Sequence, residues 1–356
     1  MPIGRNGVTV KDMTVASYLL AILGLAALMV VHEGGHFFAA RRYGMRVTKF
    51  SIGFGPTLWK HRPKDSWTTY QVAIIPFLAY VQIAGMNPYE DQDPNDKGSY
   101  ANASLWARVA TIAAGPVANY LFASVFLFFG FMLSGNPVQD GMRVNVAPDG
   151  PAAKAGIIDG DAIVAVNGER VNDWDNLKRL VGAHPGEAID LEIQRKGETL
   201  HVKPTPTAGG DTKGKILIGP KHKIVKVGVA EAALLSVKEP PMVVYQLLKG
   251  LVRFFTGKEK PEFTSVVGIT REVAAAVRSG TGDAFKLLGM ISAYLAGFNL
   301  LPFPALDGGR LLFLGFEAAS KKRADAKIEA KIHAVGLLMF LTLIAFVTYG
   351  ELVPKK

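Results

Sequence analysis

The feature that most constrains this chain is Val15–Tyr43, VASYLLAILGLAALMVVHEGGHFFAARRY, an apolar run with His32, Glu33 and His36 set into its end. A helix of about 20 apolar residues crosses the hydrocarbon core of a bilayer. An ionisable side chain at that depth costs roughly 2.5–3.5 kcal/mol on insertion scales, which makes each such group a functional candidate. Histidines four apart share one face of a helix. An acid directly after the first completes the HExxH arrangement, in which two imidazoles hold zinc and the carboxylate serves as general base. The bland alternative is a pair of polar residues hydrogen-bonded at a helix end.

Composition narrows the class. The 356 residues are 49% hydrophobic with a mean hydropathy of +0.22, which fits membrane spans combined with at least one aqueous domain. Forty Lys and Arg against thirty Asp and Glu give a net charge of +10. Much of that excess flanks apolar runs, as the positive-inside rule requires. It does not form the aromatic-interleaved patch of a nucleic-acid binder, so the expected partner is the lipid bilayer and not nucleic acid. Cysteine is absent, so a metal site must use histidine and carboxylate. Arg5 and Lys11 precede the first span and no small-residue cleavage site follows it; it reads as a retained helix.

Four transmembrane helices are expected: 15–43 with HEGGH, 105–133 with Gly115-Pro116 as an internal break, 284–310 and 333–349. Arg41, Arg42, Arg46, Lys49, Lys60, Arg62 and Lys64 follow the first; Lys321, Lys322, Arg323, Lys327 and Lys331 precede or open the fourth. Both loops are therefore expected on the cytoplasmic side, with both termini and the long central segment outside. HEGGH then faces the cytoplasm. Between the first two spans, residues 44–104 carry strand-like runs SIGFGPTLWK and TTYQVAIIPFLAYVQIAG joined by a turn, followed by an acidic loop. Their apolar content suggests a small sheet dipping toward the membrane beside the site, which requires its backbone groups to be satisfied there.

Residues 141–206 have short alternating strands, a helix near Pro151 and a turn at Asn167-Gly168. The segment PAAKAGIIDGDAIVAVNG resembles a PDZ domain, a module that binds extended peptides by strand addition. Residues 207–283 read as a linker with an amphipathic helix after Pro241, whose face of Val244, Leu247, Leu248, Leu251 and Phe255 suits the outer leaflet. Together these elements predict a polytopic α-helical membrane protein with four spans, a membrane-associated β-hairpin or sheet and one extracytoplasmic PDZ-like α+β domain.

A catalytic zinc needs a third protein ligand and an open position. His184, His201 and His222 fall outside the expected membrane region, and His61 and His333 lie near loop ends. A carboxylate remains: FNLLPFPALDGGR at Phe298–Arg310 places Asp307 beyond Pro302 and Pro304, where two prolines and a Gly pair unwind the helix.

HEGGH in the first span with NLLPFPALDGG in the third resembles the site-2 protease family of intramembrane zinc metalloproteases, notably its bacterial RseP-type members. The likeness extends to FSIGFGP at Phe50–Pro56, AAGPVAN at Ala113–Asn119 and FTSVVGI at Phe263–Ile269. It implies one Zn2+ per chain, held by His32, His36 and Asp307, with Glu33 as catalytic acid and base and Asn299 helping to hold substrate. Strand addition along Ala73–Ile83, with Ala79, Tyr80 and Val81 as contacts and Pro302 nearby, is the expected means of capturing an unwound substrate. Implied substrates are single-pass membrane proteins first trimmed by another protease, such as anti-sigma factors, and remnant signal peptides. The implied location is the bacterial cytoplasmic (inner) membrane. Two departures stand out: room for one PDZ-like module instead of two, and IPFLAYV at Ile75–Val81 in place of a Gly-containing strand. A non-catalytic scaffold or chaperone holding extracytoplasmic tails is the competing class, and an ion-coupled transporter a third.

Overall fold

A computed structural model describes residues 14–75, 79–90, 93–208, 214–257 and 264–353. Arg5 and Lys11, residues 76–78 of the expected capture strand and Phe263 lie outside the described residues. The chain forms two compact units: one from residues up to Ser134 together with Val227 onward, the other from Gly135–Lys226.

The first unit opens with α1, Val15–Arg42. The Thr14 hydroxyl caps it by accepting the Ser17 N–H at 3.3 Å, and Arg41 and Arg42 sit in its last turn, where cations suit the helix dipole. Four strands follow: β1 (Val47–Ile52), β2 (Phe54–His61), β3 (Thr69–Ile75) and β4 (Tyr80–Ile83). They form one sheet in the order β2-β3-β1-β4. The sequence suggests two strands and a turn. The sheet is more involved, because Gly53 at φ +91° folds the first run into β1 and β2. β1 then pairs parallel with β3, Phe50 opposite Tyr70, and antiparallel with β4, Phe50 opposite Val81. Val47 and Ile83 join Phe37, Ala40, Met45 and Ala107 in a buried cluster. That cluster seats the sheet on the C-terminal end of α1. α2, Leu105–Ser134, carries Pro116 in its interior.

The second unit contains β5 (Asn136–Val146), α3 (Pro151–Lys154), β6 (Ala162–Val166), β7 (Glu169–Arg170), α4 (Trp174–Gly182), β8 (Leu191–Arg195) and β9 (Glu198–Val202). The short pair β10 (Thr207–Ala208) and β11 (Gly214–Lys215) precedes β12 (Ile218–Val225). Its main sheet runs β12-β5-β6-β8-β9, with β7 paired to β6. Val144, Ile163, Leu177, Ile189, Leu191 and Ile193 fill the core. The expected limits 141–206 are too narrow, since β12 pairs along β5 from Ile218 opposite Val146 to Val225 opposite Asn136. Pro220 and the Lys-His-Lys run obscure its strand character in the sequence. Asp161 is buried and bidentate to Arg195, at 2.8 Å to Nε and 2.7 Å to Nη2, and accepts the Ile158 N–H at 2.9 Å. Burial alone would raise its pKa; the Arg195 and Ile158 hydrogen bonds outweigh it and hold the carboxyl below its usual range.

The first unit resumes with α5 (Val229–Phe255), α6 (Val266–Ser279), α7 (Thr281–Asn299), α8 (Asp307–Ser320) and α9 (Ala326–Leu352). α2 packs against α1, α5, α7 and α8. The helix expected over 284–310 stops at Asn299, and a separate helix starts at Asp307, with Pro302 and Pro304 in the break. The helix expected over 333–349 begins seven residues earlier, capped by Asp325. α5 is one helix running through Pro240 and Pro241, not a segment starting after them. Its buried stripe is Ala232, Ser236, Pro240 and Val243, whereas Leu248 and Phe255 are exposed. Small side chains permit close packing on α2 and α7. The expected apolar face is divided, with Val244, Leu247 and Leu251 half-buried and Leu248 and Phe255 outward.

Among the described residues, three helices are long and apolar enough to cross a membrane: α1, α2 and Ala326–Glu351 within α9. α7, the expected third span, has only 19 residues and carries Asp283 and Lys286. The Lys286 ammonium lies 5.7 Å from the Phe131 ring centroid and 3.6 Å from Asp283.

Candidate metal centre

The centre begins with the crossing of α1 and α2. A Cβ at Gly35 would run into the Ala114 carbonyl and lie 2.9 Å from the Ala118 Cβ. One at Gly115 would collide with His36 Nε2 and lie 3.0 Å from His32 Cε1. The first glycine lets the helices meet and the second leaves room for both imidazoles, the small-residue packing typical of membrane helices.

The supports of the two rings decide their protonation. His36 Nδ1 lies 2.8 Å from the Thr111 carbonyl oxygen. A carbonyl only accepts, so Nδ1 carries the proton and the neutral ring presents a lone pair at Nε2. His32 Nδ1 lies 3.3 Å from the side-chain amide of Asn119. Asn119 is fully buried, and its Oδ1 has no partner among the described residues. A half-turn of the amide brings Oδ1 onto His32 Nδ1–H, which satisfies the orphan oxygen and leaves the Nε2 lone pair free. Ser292 of α7 steadies the arrangement by donating to the Asn119 main-chain carbonyl at 2.8 Å.

Asp307, the first residue of α8, completes the cluster. Its Oδ2 lies 3.2 Å from His32 Nε2 and 3.4 Å from His36 Nε2, and the two Nε2 atoms are 3.2 Å apart. Oδ2 is buried without a hydrogen-bond partner among the described residues. With these tautomers two imidazole lone pairs and a carboxylate oxygen converge, a costly arrangement unless a cation supplies the missing charge. Two nitrogens and one carboxylate oxygen are a donor set of catalytic zinc sites. The residues fit the metal.

α8 is tied down on its far side. Arg108 of α2 is buried and bidentate to Glu317, with Nη1 at 2.9 Å. Arg323 adds a contact at 3.2 Å. The Arg108 guanidinium holds the Glu317 carboxyl below its usual range. This pair fixes α8 against α2 ten residues after Asp307.

Of the other expected residues, Glu33 is half-buried on α1, which packs against β4. Tyr80 accepts from Gln71 Nε2 at 3.2 Å, and Ala79 precedes β4. Asn299 directs its amide nitrogen to the Leu295 carbonyl at 3.0 Å, and Pro302 is exposed in the break. Thr111 and Asn119 escape a reading by residue type, because their roles depend on where α2 crosses α1. His333 looked like a loop-end histidine; it packs on the Asp307 loop instead, with Ala305 N–H donating to Nδ1 at 3.0 Å.

Apolar helices that hold two imidazoles and a carboxylate at metal-binding distance, with a second carboxylate beside them, define a membrane metallohydrolase. The sequence profile of Peptidase family M50 matches residues 20–343, and the chain belongs to that family, the site-2 proteases. A putative zinc metalloprotease of Nostoc sp. is 33% identical over 94% of this chain and 95% of its own length. Zinc metalloprotease RasP of Geobacillus kaustophilus is 28% identical over 95% and 98%. Regulator of sigma-W protease RasP of Bacillus subtilis is 27% identical over 96% and 99%. The chain is a membrane zinc metalloprotease, and its cofactor is Zn2+.

Proposed function

We propose that this enzyme hydrolyses peptide bonds within the transmembrane segments of single-pass proteins, with His32, His36 and Asp307 as the three zinc ligands. The observation that carries this reading is the convergence of His32 Nε2, His36 Nε2 and Asp307 Oδ2 within 3.4 Å of one another, next to Glu33 in the chain. A zinc ion held by these three residues would supply Lewis acidity toward a water and the scissile carbonyl. Glu33 follows a ligand on the same helix, so its carboxylate can accept the proton of that water and pass it to the leaving amine. Thr111 and Asn119 hold the imidazoles in the tautomer that offers Nε2.

A helical substrate has its carbonyls hydrogen-bonded already and must open first. β4 lies at an edge of its sheet, and strand addition at Ala79, Tyr80 and Val81 is the proposed capture step. Asn299 and Pro302 are proposed to flank the opened segment, which requires Asn299 to release Leu295. α7 is proposed as the fourth span, its Asp283 and Lys286 near the outer end. In this topology the centre faces the cytoplasm across a bacterial inner membrane, while the termini and Gly135–Lys226 lie outside. That unit is read as PDZ-like, excluding bulky ectodomains or receiving the new C-terminus of a protein already cut by another protease. Anti-sigma factors and remnant signal peptides fit this description.

The test is zinc content together with cleavage of a model transmembrane substrate, for wild type and Glu33→Gln. Zinc retained with cleavage lost is the expected result. A variant that still cuts at the wild-type rate would remove Glu33 from its role, and a wild type without zinc or cleavage would remove the whole reading.

A further inference from the structure

α9 is almost bare: only 6% of its membrane-length window is buried. Yet it carries a histidine whose side chain is 12% exposed. His333 Nδ1 accepts the Ala305 N–H at 3.0 Å, so the proton of the neutral ring sits on Nε2. That Nε2 is buried without a hydrogen-bond partner among the described residues; the nearest carboxylate oxygen, on Glu329, is 4.0 Å away. A polar ring held this way in an apolar helix is costly, and its one hydrogen bond goes to a residue two positions before Asp307.

Ala305 is at φ +76°, a conformation that residues with a Cβ resist. The turn around it is otherwise held by short-range bonds, Phe303 N–H to the Leu301 carbonyl at 2.7 Å and Leu306 N–H to the Phe303 carbonyl at 3.2 Å. His333 supplies a tie from another helix. Its ring also packs on Phe313 of α8, with centroids 5.9 Å apart. One turn further along, Gly336 lets α9 press on Pro304, where a Cβ would fall 2.8 Å from the proline carbonyl oxygen.

We infer that His333 is a positioning residue for the metal centre: its Nδ1 acceptor fixes the Ala305 peptide and thereby aims Asp307 at the two imidazoles. α9 then contributes a clamp on the third ligand. The inference rests on Asp307 being a zinc ligand, and it assigns His333 no contact with substrate or metal.

The experiment measures zinc affinity of the full chain in detergent by competition with a chelator, and the d–d spectrum of the Co2+-loaded protein. The variants are His333→Asn, His333→Gln and His333→Leu. Asn places an oxygen where Nδ1 was; Gln reaches only the Nε2 position, and Leu offers no acceptor. Leu and Gln are expected to weaken zinc binding about 10–100-fold, as outer-shell changes do, and to alter the Co2+ spectrum. Asn is expected to restore both. Equal affinity and spectra in all four proteins would overturn the inference, as would an Asn variant no better than Leu. Wild type is titrated alongside: if it takes up no zinc, the metal assignment itself fails, whereas tight wild-type binding unchanged by every variant refutes only the role of His333.

Discussion

Substituting Gly115 by alanine should separate stability from metal binding. Alanine is favoured over glycine inside a helix by about 1 kcal/mol, so α2 gains on propensity. The new methyl, however, would point into the metal centre. It would overlap His36 Nε2 and lie 2.5 Å from His36 Cε1 and 3.0 Å from His32 Cε1, where ordinary contact starts at 3.4 Å. The rings must retreat by roughly 1.1 and 0.4 Å, whereas zinc–ligand distances tolerate only about 0.2 Å. Both imidazoles are displaced beyond that tolerance. A fall in zinc affinity of at least about 100-fold is expected, the upper end of outer-shell effects, equivalent to about 2.7 kcal/mol. Chelator competition and metal analysis on purified protein measure it, with the melting temperature of the metal-free form as the stability reading. Gly34→Ala is the control, since its Cβ would meet only the Phe38 ring at 4.0 Å; it should bind zinc as wild type does. A Gly115→Ala protein that binds zinc with wild-type affinity would refute the argument.

Two further tests address the supports. Glu317→Ala strands the buried Arg108 guanidinium and should cost about 3–5 kcal/mol; melting indistinguishable from wild type would show that α8 is held by other means. Asp161, held below its usual range beside Arg195, contributes stability that is fully present above the unfolded-state value and lost as pH falls through the folded one. Amide exchange in β6 and β8 should therefore accelerate on acidification below the ordinary aspartate range, less so in Asp161→Asn; identical profiles for both proteins would count against that coupling.

The parts of the site that read from sequence are those whose chemistry is local. His32, Glu33 and His36 share one helix, and Asp307 announces itself by sitting among prolines and glycines in an apolar run. Thr111 acts through its carbonyl, which every residue has, so nothing in its identity marks it. Asn119 and His333 are ordinary polar residues until α2 and α9 are placed in space. The same holds for the sheet: β1 and β3 are separated by β2 in sequence, and their parallel pairing follows from the turn at Gly53, not from alternation. α5 was only partly legible, since Pro240 and Pro241 lie inside the helix and not before it.

The proposed zinc centre is also divided along the chain. α1 and α2 supply both imidazoles and the two groups proposed to set their tautomers, while the proposed third donor, Asp307, lies 188 residues after Asn119. Synthesis runs from the N-terminus, so a nascent chain carries a half-site of two nitrogens long before the carboxylate exists. High-affinity metal uptake must wait for α7 and α8, and by the inference above for α9. A chain interrupted anywhere in its first three hundred residues is thus a membrane protein with no competent protease centre. The bilayer never meets the hydrolase until the last quarter of the polypeptide has been made and packed.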